Sequence, residues 1–196
     1  MLDNKTGENA PTHGSEEDLS DRVYFDTMIY LGEYVEKNDD FTRIFNMVRE
    51  KKFQLVVSTI NLLEIRRYIT HKYQFRGLKN AKTTCLFQNV NDEYNDVVNG
   101  IRGDLGIICR QALHDIGELE MEKLAKDIHC LCKEDFYEIG KIAGSADVLQ
   151  LKAARNMGCI KFITIDTALL KLRSHNGFLG MRIMTPRDLS AGWRAP

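Results

Sequence analysis

The chain has 196 residues and a mass of 22.5 kDa, which suits one domain with a sizeable core. Hydrophobic residues make up 43% and charged residues 28%, which excludes wholesale disorder. With 28 acids against 27 bases the net charge is −1, so a polybasic, histone-like binder is excluded, though a local basic patch is not.

Residues 1–20 are polar and acidic, and they predict a flexible tail without the apolar stretch of a signal sequence. Residues 1–22 carry a net −4, which leaves a mildly basic body at +3. Arg22–Asp26 (RVYFD) predicts a short buried strand. Met28–Val35 and Phe41–Arg49 predict helices broken near Asn38-Asp39-Asp40. In the second of these, Phe41, Ile44, Phe45 and Val48 form one apolar stripe. Gln54–Ser58 predicts a second strand, and Thr59–Tyr73 a helix with Leu62, Ile65 and Ile69 on one side. The stretch 76–140 is helix-rich, clearest over Leu119–Cys132, with Gly100, Gly103 and Gly106 marking a loop or kinks. Ser145 predicts the N-cap of a helix running to about Met157 and closed by Gly158. Lys161–Ile165 and Met181–Met184 predict two more strands, separated by a short helix at Thr167–Arg173. Pro186 opens a last helical turn. Strands alternating with helices predict an α/β domain over residues 21–196 with a mainly parallel sheet and a helical insertion at about 76–140.

Five scattered cysteines show no disulfide framework, and no apolar run approaches the roughly 20 residues of a membrane-spanning helix. The expectation is a soluble, cytoplasmic protein without a membrane partner. The His129-Cys130-x-Cys132 run lacks a second ligand pair and reads as buried cysteines rather than zinc ligands. No glycine-rich phosphate loop is present.

The predicted strands end in Asp26-Thr27, Ser58-Thr59 and Asp166-Thr167, and parallel sheets bind ligands beyond such ends. Glu64 and Asp147 fall on otherwise apolar helical stripes, beside Ile60 and Tyr68 and beside Leu151 and Ala154. Taken singly, such acids serve as helix caps or dipole partners. Four carboxylates at one edge would repel one another, and a hard divalent cation, Mg²⁺ or Mn²⁺, is the natural remedy.

The segments VYFDTMIYL (Val23–Leu31), VVSTINLLEI (Val56–Ile65), SADVLQLKAARNMG (Ser145–Gly158), FITIDTALL (Phe162–Leu170) and IMTPRDL (Ile183–Leu189) follow one another in a telling order. Over roughly residues 22–75 and 140–190 the chain resembles the PIN-domain nucleases, including the VapC-like ribonucleases. The resemblance implies a three-layer α/β/α sandwich and a metal-dependent endoribonuclease. It implies Asp26 as central metal ligand and Glu64 and Asp147 beside it, with Asp166 holding a second metal or orienting water. Thr164 would orient a carboxylate, with Ser58 and Thr27 as further supports. Met28 departs from the small polar residue common there. Cleavage would leave 5′-phosphate and 3′-hydroxyl ends, and a toxin role would bring an antitoxin protein as partner. Relatives of this kind also form homodimers.

RNA requires cations, and Arg66, Arg67, Lys72 and Arg76, interleaved with Tyr68, Tyr73 and Phe75, offer phosphate and base contacts. The same run also reads as a solvated helix face. The alternatives are a catalytically silent RNA-binding or scaffold module, and a DNA-directed nuclease of related fold.

Overall fold

The computed structural model describes residues 22–75, 83–105, 139, 142–175 and 180–192. The expected tail at 1–20, the helix at Leu119–Cys132 and Arg76 lie outside the described residues.

Four strands are described: β1 (Arg22–Phe25), β2 (Gln54–Val56), β3 (Lys161–Ile163) and β4 (Arg182–Met184). They form one all-parallel sheet in the order β2-β1-β3-β4. Among the described residues seven α-helices accompany it: α1 (Thr27–Tyr30), α2 (Asp39–Arg49), α3 (Thr59–Phe75), α4 (Thr83–Leu105), α5 (Ser145–Asn156), α6 (Thr167–Lys171) and α7 (Pro186–Gly192). The expected α/β class and parallel sheet are therefore present. β1, β2 and β3 end one or two residues before the expected spans, where Asp26, Ser58 and Thr164 accept hydrogen bonds from backbone N–H groups that follow, and β4 starts one residue late, at Arg182.

Alternation along the strands divides the core. Val23, Phe25, Leu55 and Ile163 pack with α1, α2, α3 and α4. Tyr24, Phe162 and Ile183 pack with α5 and α6. A sheet with both faces covered is the rule for parallel strands, and this arrangement is compatible with three layers. The Tyr24 and Phe162 rings stack at 5.3 Å, while Phe25, Tyr30, Phe45 and Phe53 meet edge-on or tilted on the other face.

α2 buries Phe41, Ile44, Phe45 and Val48, the stripe its spacing predicts. Its N-cap is Asn38, whose side chain accepts from the Asp40 N–H. The preceding helix passes from α1 into a π-helical turn over Leu31–Val35, within the predicted span. Gly32 is required there, because a Cβ would lie 2.1 Å from the Phe41 ring.

Two local expectations are corrected. Gly100 and Gly103 lie inside helix α4 and mark no loop, while Gly106 lies outside the described residues. Gly100 admits the Tyr34 ring, which a Cβ would meet at 2.7 Å, so close packing rather than chain reversal explains it. The N-cap of α5 is Gly144, not Ser145, because the Asp147 carboxylate reaches back to the Gly144 N–H and sets the start one residue earlier. Gly158 does close α5, with φ +71°. Helix α4 is also part of the main core, burying Val90, Val97, Val98 and Ile101.

Candidate metal centre at the sheet switch point

From β1 the chain moves to β2 on one side; from β3 it moves to β4 on the other. The carboxyl ends of β1 and β3 therefore flank the point where the winding direction reverses, the usual ligand crevice of an open parallel sheet. Asp26 directly follows β1, and Thr164 and Asp166 follow β3.

Asp26 is 3% exposed. Its Oδ2 accepts a 2.5 Å hydrogen bond from Thr164 Oγ1, which joins the two strand ends. Burial, first of all, pushes its carboxyl above the usual carboxylate range; Thr164 opposes this, and Asp147 adds to it. Glu64 projects from α3, and its Oε2 accepts from Thr27 Oγ1 at 2.5 Å and from Gln150 Nε2 at 2.7 Å. Burial also raises its carboxyl, with Asp26 and Asp147 adding to the effect and Arg67 opposing it. Asp147 is raised by burial and by Asp166, against the Gly144 N–H. The four acids named from the sequence therefore feel one another, with Asp147 as the common neighbour.

Asp166 has a second task. Its Oδ1 caps α6 by accepting from the Ala168 and Leu169 N–H groups at 2.6 and 3.2 Å, and its own N–H donates to Thr164 Oγ1. Thr27 and Thr164 each donate directly to a carboxylate. Ser58 does not touch the acids. Its Oγ donates to Asn61 Oδ1 at 3.1 Å, so in the 2.5 Å bond between Ser58 and Tyr24 the Tyr24 hydroxyl is the donor.

Two site residues were not read from the sequence. Gln150 is 1% exposed and Asn61 is fully buried. The signals were present: Asn61 stands three residues after Ser58 in a capping arrangement, and Gln150 stands three residues after Asp147 beside buried Leu151.

The donor set is all oxygen, partly desolvated and mutually repelling, and among the described residues no ion pair reaches any of the four acids. That chemistry fits a hard divalent cation. The spacing is looser: among the described residues no three His, Cys, Asp or Glu side chains stand close enough to hold an ion together.

The cationic residues divide. Lys72 pairs with Glu93 at 2.5 Å. Arg66 donates to Asn91 and lies 5.4 Å over the Tyr94 ring. Arg67 is exposed and within electrostatic reach of Glu64. A groove of about 810 Å³, lined by residues including Phe41, Arg43, Ile165, Thr185 and Arg187, contains none of the four acids. Among the described residues no helix is long and apolar enough to cross a membrane. No protein-family model matches the chain, and neither does any curated protein or solved structure.

Proposed function

We infer that the chain is a divalent-metal-dependent ribonuclease of PIN-like fold, acting at the carboxyl ends of β1 and β3. One observation carries this reading. A buried carboxylate, Asp26, stands at the switch point with three further acids around it and with hydroxyl and amide donors, rather than basic side chains, as its partners among the described residues. Acids kept at such a cost without a basic partner among the described residues are suited to a cation from solution.

Asp26 would hold Mg²⁺ or Mn²⁺, with Glu64 and Asp147 completing the shell directly or through water and Asp166 nearby. When bound, the metal would supply an activated water and neutralise charge developing at the phosphate. The chain's own residues fix the ligands. Thr164 locks the Asp26 rotamer, Thr27 and Gln150 lock Glu64, and the Gly144 N–H holds Asp147. Arg67, exposed and within electrostatic reach of Glu64, would contact the RNA backbone.

The alternative is an RNA-binding module without catalysis, which would use the exposed Arg67 and need no metal. Cleavage of labelled single-stranded RNA and DNA in Mn²⁺, Mg²⁺ or EDTA, beside Asp26→Asn, separates the two. Metal-dependent RNA cutting lost in the variant supports the nuclease. RNA retention without cutting supports the module, and preferential DNA cutting transfers the reading to DNA.

A further inference from the structure

We propose that Gln150 is a positioning residue, an internal amide bridge that holds Asp26 and Glu64 side by side before a cation arrives. The inference rests on the metal-site reading above and adds to it a residue of a different chemical type.

The geometry is directional. Gln150 Oε1 accepts from the Thr27 N–H at 3.3 Å and from Asn61 Nδ2 at 3.2 Å. Its oxygen is thereby committed, so Nε2 must turn to the carboxylates, reaching Glu64 Oε2 at 2.7 Å and Asp26 Oδ1 at 3.4 Å. Asn61 is oriented in the same way, because its Oδ1 accepts from the Ser58 N–H at 3.0 Å and its Nδ2 also donates to Phe25 O. Two backbone N–H groups, those of Ser58 and Thr27, thus fix the sense of both amides. A buried amide with all its polar atoms engaged cannot rotate away without leaving donors or acceptors unmatched.

The bridge does two things. It places N–H dipoles between two acids that would otherwise repel. It also holds Glu64 through Oε2, and among the described residues no hydrogen bond is made to Oε1, which leaves that oxygen for a ligand.

The test is Mn²⁺ binding to the full chain, followed by calorimetry and by the paramagnetic signal of free Mn²⁺, with thermal melting as a fold control. Gln150→Met keeps volume and removes the amide, and it should weaken Mn²⁺ binding at least tenfold. Gln150→Glu keeps the acceptor for Asn61 and adds a ligand. It should melt lower without metal, because a third carboxylate replaces the N–H groups that separate Asp26 and Glu64. Equal affinity in wild type and Gln150→Met overturns the bridge while the metal reading stands. Absence of Mn²⁺ binding in wild type overturns both. If Gln150→Met does not fold, a metal-free Gln150→Glu variant that melts no lower than wild type overturns the bridge, because the N–H groups between the two acids are gone in it.

Discussion

Two groups of acids in this chain are treated in opposite ways. Between α2 and α4, Arg49 reaches Asp104 at 2.7 Å and Glu33 at 3.0 Å, and Tyr34 donates to Asp104. The carboxylates bonded to Arg49 raise its already high affinity for its proton, so the guanidinium stays charged and the group is neutralised from within. At the switch point, Asp26 and Glu64 receive only hydroxyl and amide hydrogens from the described residues. Dipoles ease the burial of a charge without cancelling it. The first group fastens two helices together, and the second is left without a basic partner among the described residues.

The largest expected effect breaks the second group. Asp26→Asn should reduce RNA cleavage at least about 10³-fold, as expected when a central metal ligand is lost. The same change should raise the melting temperature at neutral pH by about 2–5 °C, because a buried charge is removed while an acceptor for Thr164 remains. A variant that is both inactive and more stable marks a functional acid; one that is merely less stable marks a structural one.

The first group should respond the other way. Asp104→Ala should cost about 1–3 kcal/mol of stability, since Arg49 and Tyr34 both lose a charged partner. Mn²⁺ affinity should be unchanged, which calorimetry on the folded variant would check.

The pH dependence sharpens the contrast. Asp26, Glu64 and Asp147 have carboxyls raised by burial, so the stability associated with them is complete below the ordinary carboxyl range and is lost as pH rises through their elevated values. Melting curves should show the gap between Asp26→Asn and wild type widening from about pH 4.5 to 7.5, and saturating Mn²⁺ should close it. Asp188 has the opposite sign, because the Thr185 N–H and hydroxyl lower its carboxyl. Its contribution is present above the ordinary range and fades as pH falls through the lowered value.

The smallest effects separate the basic residues. Lys72→Ala should lower stability by no more than about 1 kcal/mol, the ordinary worth of an ion pair near the surface. Arg67→Ala should leave stability alone and weaken RNA binding, with the salt dependence of affinity reduced by about one phosphate contact.

Much of this contrast was legible in the sequence on one side only. Strand-end Asp26 and Asp166 each pass singly for a helix cap, which both also are, and stand out only because two such acids end strands of one parallel sheet. Glu64 and Asp147 stand out because they interrupt apolar stripes. Gln150 and Asn61 carry no charge, and an amide on a helix is the same symbol whether it faces water or a core. Only the folded contact of α3 with α5 distinguishes the two. Gly100 misled for a related reason: a glycine chosen to admit the Tyr34 ring looks, in sequence, like one chosen to end a helix. The start of α5 was misplaced by one residue because Ser145 suits a cap as well as a first helical position, and the deciding bond runs back from Asp147.

The hydrogen bond between Asp26 and Thr164 spans 138 residues of chain. Synthesis from the amino terminus therefore delivers Asp26 and Glu64 early, Gln150 much later and Thr164 later still. A nascent chain halted before β3 holds the acids but not the hydroxyl that seats the first of them, and one halted before Gln150 lacks the amide as well. The site is thus assembled only after β3 has been made, and a growing polypeptide that has not reached it carries ingredients of the centre without its architecture.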